Sequence, residues 1–329
     1  MTIRISILIA ARNEEEHLKK CVDSLIDQEL NEGTKINILI GNDQSVDNTL
    51  QIAQQLESNN KNVECYDIPK SNKLEGKLNV LVTLSNKANS DYLLFADADT
   101  IYPKTWVGLM TKSLQKTEFI TGVTIPFGNT IWSRWQKLEW MLALKNVYLL
   151  SKFNIPVTSM GNNMGIKKST FDKNGGFKDI QNTAVEDYAL FHHHIKKKGS
   201  FTQLYQREVL AKTAPVSSFK FWLQQRIRWY QGGKKVHPFL IFLNYINIFT
   251  LPFLVFFSLL YPYMFKVLLV YYVSKLIWYS VSQKQLGLKI DFIATLLFEP
   301  IYTISYASLL VYSLLSPKFD WKGRVYNSE

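Results

Sequence analysis

The stretch YLLFADADTIYP, residues 92 to 103, reads as a buried strand that stops at two carboxylates, Asp97 and Asp99, with only Ala98 between them. An unpaired carboxylate is costly to bury. The pair therefore either lies in solvent at a loop or is held by positive charge. Working outward from it, ISILIA (5–10), KINILIGND (35–43) and NVECYDI (62–68) also read as strands, and DYLLFADAD (91–99) is the fourth. Helices alternate with them: EEEHLKKCVDSLIDQ (14–28), with Leu18, Val22, Leu25 and Ile26 on one face, then 47–57 and KLNVLVTLSNKA (77–88). This order predicts an α/β fold with a mostly parallel sheet and helices on both faces. Ligands collect at the carboxyl ends of such strands. Asp43 and the Asp97/Asp99 pair stand at two of those ends, which places the acids at the mouth of the sheet.

The chain has 329 residues, enough for one large domain or two ordinary ones, and a formal net charge of +11. That balance points to an anionic partner: nucleic acid, phosphate substrates or an acidic leaflet. Nucleic acid is the poorest account, because the charge can be spent on a leaflet and on pyrophosphate. The two cysteines, Cys21 and Cys65, have no metal-like spacing and form no disulfide framework, so a reducing compartment fits best. MTIRISILIA is too short an apolar run for a signal peptide and alternates like a strand. The catalytic part is expected in the cytosol.

Seven stretches resemble a known family. They are ILIAARNEEEHL, IGNDQSVDNT, GKLNVL, FADADT, GNNMGIKKSTFDKNGGF, VEDYAL and QQRIRW, in that order between residues 5 and 233, with a further match at the tail. Together they resemble the inverting, membrane-bound family 2 glycosyltransferases with the GT-A nucleotide-sugar-binding fold, the group that includes ceramide glucosyltransferases and processive synthases. The resemblance implies a nucleotide-sugar donor whose diphosphate departs with help from a divalent cation, Mn²⁺ or Mg²⁺, since no His/Cys cluster of zinc spacing surrounds the acids. By resemblance Asp99 binds the metal, and Asp97, counted with it in the metal motif, contacts the donor.

The same resemblance places Asp43 on a uracil ring, with Asn42 where the family has a first acid. Asp43 and Asp47 could instead simply cap the next helix. Ala10, where the family often has proline or threonine, with Asn13 and Glu14, lies along the nucleoside, and Lys77 near uracil and phosphates. Val185-Glu186-Asp187 matches a TED triplet whose last acid, here Asp187, is the base that takes the acceptor's proton in a single displacement. Partial burial and the nearby Glu186 would raise its pKa into a useful range. Gln225-Arg226-Ile227-Arg228-Trp229 matches the QxxRW signature, on a helix near 218–231. There Arg228 is expected to clamp the diphosphate, and Gln225 and Trp229 to meet the acceptor. Asn162 and Asn163 of GNNMG, with Glu186, are expected on the acceptor or donor-sugar side. The run His192-His193-His194 points three ways from a helix and reads as a solvated or membrane-facing surface, not a metal site.

The expected organisation is a cytosolic GT-A domain over 1–233, transmembrane or re-entrant helices over 234–316, and a basic tail over 317–329. From Val236 to Met264, just after Lys234 and Lys235, there is no charged side chain, and the run can cross about 30 Å of hydrocarbon. The helices are expected near 236–262, 263–282 and 292–315. Lys275 in the second would cost a few kcal/mol at mid-bilayer, so that segment is expected to be tilted, interfacial or facing a polar groove. Glu299-Pro300 interrupts the third. Three full spans would put Lys318, Lys322 and Arg324 outside, against the positive-inside tendency. Either Glu299-Pro300 marks a re-entrant tip or one segment lies in the interface; the tail, which resembles a WKGR ending, is expected in the cytosol. A multi-pass protein of the cytoplasmic membrane, beside an anionic leaflet, follows. The expected activity is transfer of one sugar, from a UDP-hexose, to a lipid or lipid-linked acceptor. The alternative is a processive polysaccharide synthase, for which so few helices make a poor channel. The oligomeric state is not legible.

Overall fold

The alternating strands form one seven-stranded sheet in a computed structural model that describes residues 2–72, 74, 76–180, 183, 185–232, 238–315, 318–321 and 324–327. Element order begins β1 Ile3–Ala11, α1 Leu18–Ile26, β2 Thr34–Asn42, α2 Thr49–Asn59, β3 Val63–Asp67, α3 Gly76–Lys87 and β4 Tyr92–Asp97. There follow β5 Thr100–Ile101, α4 Trp106–Lys116, β6 Phe119–Thr121, β7 Val123–Pro126, α5 Ile131–Ser151, β8 Met164–Lys167, α6 Lys168–Lys173, α7 Glu186–Lys196, β9 Phe201–Gln203 and β10 Leu210–Thr213. The remainder is α8 Phe219–Gly232, α9 Pro238–Leu260, α10 Met264–Gln285, α11 Phe292–Leu315, β11 Lys318–Trp321 and β12 Arg324–Asn327.

The chain divides into two compact units, residues 1–125 with 147–214, and residues 126–146 with 215–329. The expected boundary at Gly233, together with Lys234, Lys235 and the start of the first apolar run at Val236, lies outside the described residues. So do Lys322 and Ser328.

In the first unit the sheet order is β3-β2-β1-β4-β8-β6-β9. Strands β1 to β4 are mutually parallel, while β8 runs antiparallel to both β4 and β6. Ile7, Leu8 and Ile9 of β1 are all buried, as a central strand covered on both faces requires. Helix α3 packs its Leu78, Leu81 and Leu84 with Leu39 and Phe95 of the sheet. A Cβ at Gly41 would stand 2.3 Å from Val80 Cγ1, so the missing side chain lets α3 sit close enough to bring its N-terminus to the strand ends. Helix α1 begins at Leu18 rather than Glu14, because Asn13 takes φ 54° and the Glu14 amide is bonded to Thr49 Oγ1. A smaller sheet orders β5-β10-β7.

In the second unit, α10 over Met264–Gln285 and α11 over Phe292–Ser313 are long and apolar enough to cross a membrane. Helix α9 carries an apolar run over Tyr245–Leu260. Phe249, Phe256, Leu259, Val270 and Phe292 point outward. One sequence expectation is corrected here. Glu299-Pro300 neither interrupts the third helix nor forms a re-entrant tip, since α11 continues through it to Leu315. Lys275 has polar partners. Its ammonium lies 3.4 Å from Glu299 Oε1 and donates to Asn247 Oδ1 at 2.9 Å. The hydroxyls of Tyr271 and Tyr279 donate to the same Glu299 carboxylate, so the two charges that looked costly compensate each other. At the foot of α11, Asp291 is gripped by Arg134 and Lys137 of α5. Backbone pairing joins β11 to β12, and β11 lies along α8.

Candidate active site

The first unit gathers the predicted acids at the carboxyl ends of β1, β2 and β4. Asp97 ends β4, and its Oδ1 accepts a hydrogen bond from Lys77 Nζ at 2.6 Å. The same ammonium lies 2.9 Å from Glu186 Oε1 at the start of α7. Positive charge therefore does hold the strand-end acid. Burial pulls the Lys77 pKa down, but Asp97, then Glu186 and Asp187, outweigh it and raise it, so the ammonium stays charged across the working range. Asp99 is half-buried, and its Oδ1 accepts from the hydroxyls of Thr100 at 3.1 Å and Thr213 at 3.2 Å. Tyr102 donates its hydroxyl to the Asn162 carbonyl at 2.6 Å and receives the Asp97 amide at 3.2 Å, tying the acidic turn to the 161–165 segment.

Asp187 is fixed by backbone donors. The Gly161 amide donates to Oδ2 at 2.7 Å and the Tyr188 amide to Oδ1 at 2.8 Å. A Cβ on Gly161 would meet Oδ2 at 2.9 Å and the Asp187 Cβ at 3.0 Å, so a glycine is needed for that approach. Desolvation, then the Glu186 charge, push the Asp187 carboxyl up to about 6, against the lowering pull of Lys77 and the two amides. Acids in the first turn also benefit from the helix dipole.

The nucleoside-side residues follow the first two strands. Asp43 is buried with Arg12 Nη1 3.8 Å away. Asp47 makes the cap, accepting from the Thr49 amide and hydroxyl at 3.0 and 2.6 Å and from the Glu15 amide at 3.2 Å. These bonds prevail over desolvation and lower its pKa. Asn42, at the family's first-acid position, donates to Asp67 Oδ1 at 2.8 Å, so a carboxylate reaches that corner from β3. Ala10 is the penultimate residue of β1, and Asn13 bridges loops through the Ser45 hydroxyl and the Val46 amide. Glu14 is buried.

Burial bears on the expectation that Asn162 and Asn163 lie on the acceptor or donor-sugar side. Asn163 is fully buried (0 % exposed) and meets no solvent; its Nδ2 donates to the carbonyls of Val123 and Val209 while Oδ1 accepts from Trp106 Nε1. It is a fastener between loops, and its neighbour Asn162 is buried as well. Of the three histidines, His192 and His193 are half-buried and His194 is buried. Their Nε2 atoms reach the carbonyls of Val157, Asn174 and Ser200 in turn.

The QxxRW residues belong to the second unit. Arg226, 6 % exposed, puts Nε 2.9 Å and Nη2 2.5 Å from the Glu139 carboxylate, and its Nη1 2.5 Å from Gln225 Oε1. Its guanidinium lies 4.3 Å from the Trp229 ring centroid, and Trp229 meets Trp140 edge-on. Arg228 is half-buried beside it. The sequence singled out Gln225, Arg228 and Trp229 and passed over Arg226 and Glu139. It also passed over Arg12, Asp67 and Thr213; of these only Asp67, at a parallel strand end, carried a readable signal.

Among the described residues no group of three His, Cys, Asp or Glu could hold an ion. Asp97 and Asp99 offer hard oxygen ligands only, which fits Mg²⁺ or Mn²⁺ completing its shell with diphosphate oxygens and water.

Comparison with known proteins bears on the family and the fold. Residues 6–174 match the family described as Glycosyl transferase family 2, and residues 92–315 match Glycosyl transferase family group 2. A poly-beta-1,6-N-acetyl-D-glucosamine synthase of Staphylococcus epidermidis is 25 % identical over 242 residues, 70 % of this chain and 55 % of that protein. A 4,4'-diaponeurosporenoate glycosyltransferase of Staphylococcus haemolyticus is 25 % identical over 196 residues, 57 % of this chain and 51 % of that one. The chain spans about half the length of these curated relatives. Among solved structures, a mannosyltransferase of Pyrobaculum calidifontis in complex with GDP-Man and Mn²⁺ superposes with a TM-score of 0.58 at 14 % identity, covering 95 % of this chain and 88 % of its own. That likeness is one of fold. With the matched families spanning the sheet, the acidic turn and the C-terminal helices, the chain belongs to glycosyl transferase family 2.

Proposed function

We propose that this chain transfers a single sugar, with inversion, from a nucleotide sugar to a membrane lipid or lipid-linked acceptor at the cytosolic face of the cytoplasmic membrane. The observation that carries the reading is the Lys77 bridge, which puts the strand-end acid Asp97 and the Glu186-Asp187 turn in one ion-paired cluster. Asp43, Asn13 and Ala10 line the nucleoside side, and Asp99 with Asp97 would hold the divalent ion. A bound Mn²⁺ or Mg²⁺ supplies Lewis-acid stabilisation to the departing nucleoside diphosphate. Asp187 removes the acceptor hydroxyl's proton as that oxygen forms its bond to C1. The C1–phosphate oxygen bond breaks on the opposite side, and its electron pair leaves with the diphosphate. An acid with a pKa near 6 is a competent base for this step at neutral pH. UDP is preferred on the strength of Asp43; the Pyrobaculum neighbour's GDP-Man makes GDP the competing base. The roles of Gln225, Arg228 and Trp229 rest on the family resemblance.

A second reading, processive synthesis, is favoured by the poly-beta-1,6-N-acetyl-D-glucosamine synthase relative. Against it, Lys275, Glu299, Tyr271 and Tyr279 are spent on one another rather than lining a hydroxyl-rich passage. Incubating membranes that carry the chain with labelled UDP- and GDP-sugars, then separating lipid extract from polymer, decides between them. Label in the lipid fraction that disappears with EDTA and with Asp187→Asn supports the proposal; label in polymer overturns it.

A further inference from the structure

Family resemblance assigns Lys77 to the donor's nucleotide, yet its contacts point elsewhere. The residue stands one position into α3, and its side chain crosses to two elements that share no backbone hydrogen bonds with each other, the end of β4 and the first turn of α7. We propose that Lys77 is a positioning residue. It straps the turn that presents Asp187 to the strand end that presents Asp97, so that the donor and base halves of the site stand assembled before substrate arrives. The proposal deepens the reading above and rests on it for the role of Asp187.

Three features make the strap specific. Both contacts are short: a charge-assisted hydrogen bond of 2.6 Å to Asp97 Oδ1, of the strong class, and an ion pair of 2.9 Å to Glu186 Oε1. Glu186 is buried, so its charge needs a partner, and Lys77 is one. Glu186 also precedes Asp187 directly in the chain, so anything that pins Glu186 limits how far the Asp187 carboxylate can turn from the Gly161 and Tyr188 amides it accepts from. An ammonium has three protons and Asp97 takes one of them, so donor capacity toward a phosphate oxygen is retained.

Hydrogen exchange on the purified, substrate-free chain in detergent tests this. In Lys77→Met, peptides covering 158–163 and 186–191 should exchange about tenfold faster, the scale set by one lost charge-assisted bond, while peptides from β1 and β2 keep their rates. Lys77→Arg, which can still bridge two carboxylates, should restore most of the protection. Wild-type rates in both peptides of Lys77→Met overturn the proposal. Should Lys77→Met lose protection throughout the sheet, Glu186→Gln carries the test, since it leaves the Lys77–Asp97 contact in place. A local rise in 186–191 supports the strap and unchanged exchange overturns it. Binding of UDP and GDP, measured separately on wild type, tells the two ideas apart: a chain that binds neither nucleotide refutes the proposed function, whereas one that binds but is locally indifferent to Lys77 refutes only the strap.

Discussion

Asp187 sits where it would rather be neutral, and that is what qualifies it as a base. Desolvation and Glu186 lift it from an ordinary value of 3.8 to about 6. The sign for stability follows. The folded chain binds this proton more tightly than the unfolded one, so the group is harmless below about pH 4, costs progressively more between about pH 4 and 6, and carries its full cost above. Asp187→Asn should therefore abolish transfer, and its stability relative to wild type should be more favourable by about 1–2 kcal/mol at pH 7–8 than below about pH 4, discounted for partial solvent access and over a constant cost, because the amide can accept only one of the two backbone N–H bonds. Thermal unfolding across pH checks this, and a variant less stable at pH 8 than at pH 4 relative to wild type refutes it. The transfer rate itself should fall below about pH 6 as the base protonates. Gly161→Ala is the complementary probe. A methyl 2.9 Å from Oδ2 must displace the carboxylate, so kcat should drop at least about tenfold with little change in donor KM. Equal losses in both would mean that the donor pocket, not the base, had moved.

At the scale of elements, α5 and α8 are joined by a buried pair that no motif announces. Glu139 is 3 % exposed and receives Arg226, Trp222 Nε1 and the Tyr306 hydroxyl from α11. Removing one partner of such a pair strands a buried charge at about 3–5 kcal/mol, whereas replacing both by apolar residues of similar volume is close to neutral. Glu139→Ala should thus unfold the chain many degrees lower than the Glu139→Met, Arg226→Met double variant, and equal melting temperatures would deny the pair its role. This pair also marks where sequence reading stops. The first four strands and three helices were legible because apolar period and strand-end acids agree over 5–99, and α1 lost only its last two residues and its first turn, where the Glu14 amide bonds Thr49. Glu139 and Arg226 are 87 residues apart, and nothing in either neighbourhood names the other. Asn163 stayed hidden for a related reason: a polar side chain that satisfies buried carbonyls looks, in sequence, like a group awaiting a ligand.

At the scale of the whole chain, the arrangement of charge on the second unit addresses the topology conflict that three full spans create. The link between α10 and α11 is fastened to α5 through Asp291. Farther along α11, Phe298 stacks on Trp135 and Tyr306 bonds to Glu139, so α11 stays within reach of the polar, charged helix α5 over 15 residues, about 22 Å. Beyond it, β11 returns to lie along α8. We propose that only the α9–α10 hairpin crosses the bilayer fully; its tip, Tyr261-Pro262-Tyr263, is aromatic, as suits a far interface, with Lys266 following one turn on. On that proposal Lys284, Lys289, Lys318 and Arg324 would all fall on the opposite side, where the positive-inside tendency puts most of the charge. A cysteine placed at Asn327 should accordingly be labelled by an impermeant maleimide only in inverted vesicles, and one placed at Tyr263 only in intact cells, on a background from which Cys21 and Cys65 have been removed. Labelling of both positions from the same side would show that α9 and α10 do not form a spanning hairpin, and labelling of position 327 from outside would mean that α11 crosses the membrane after all.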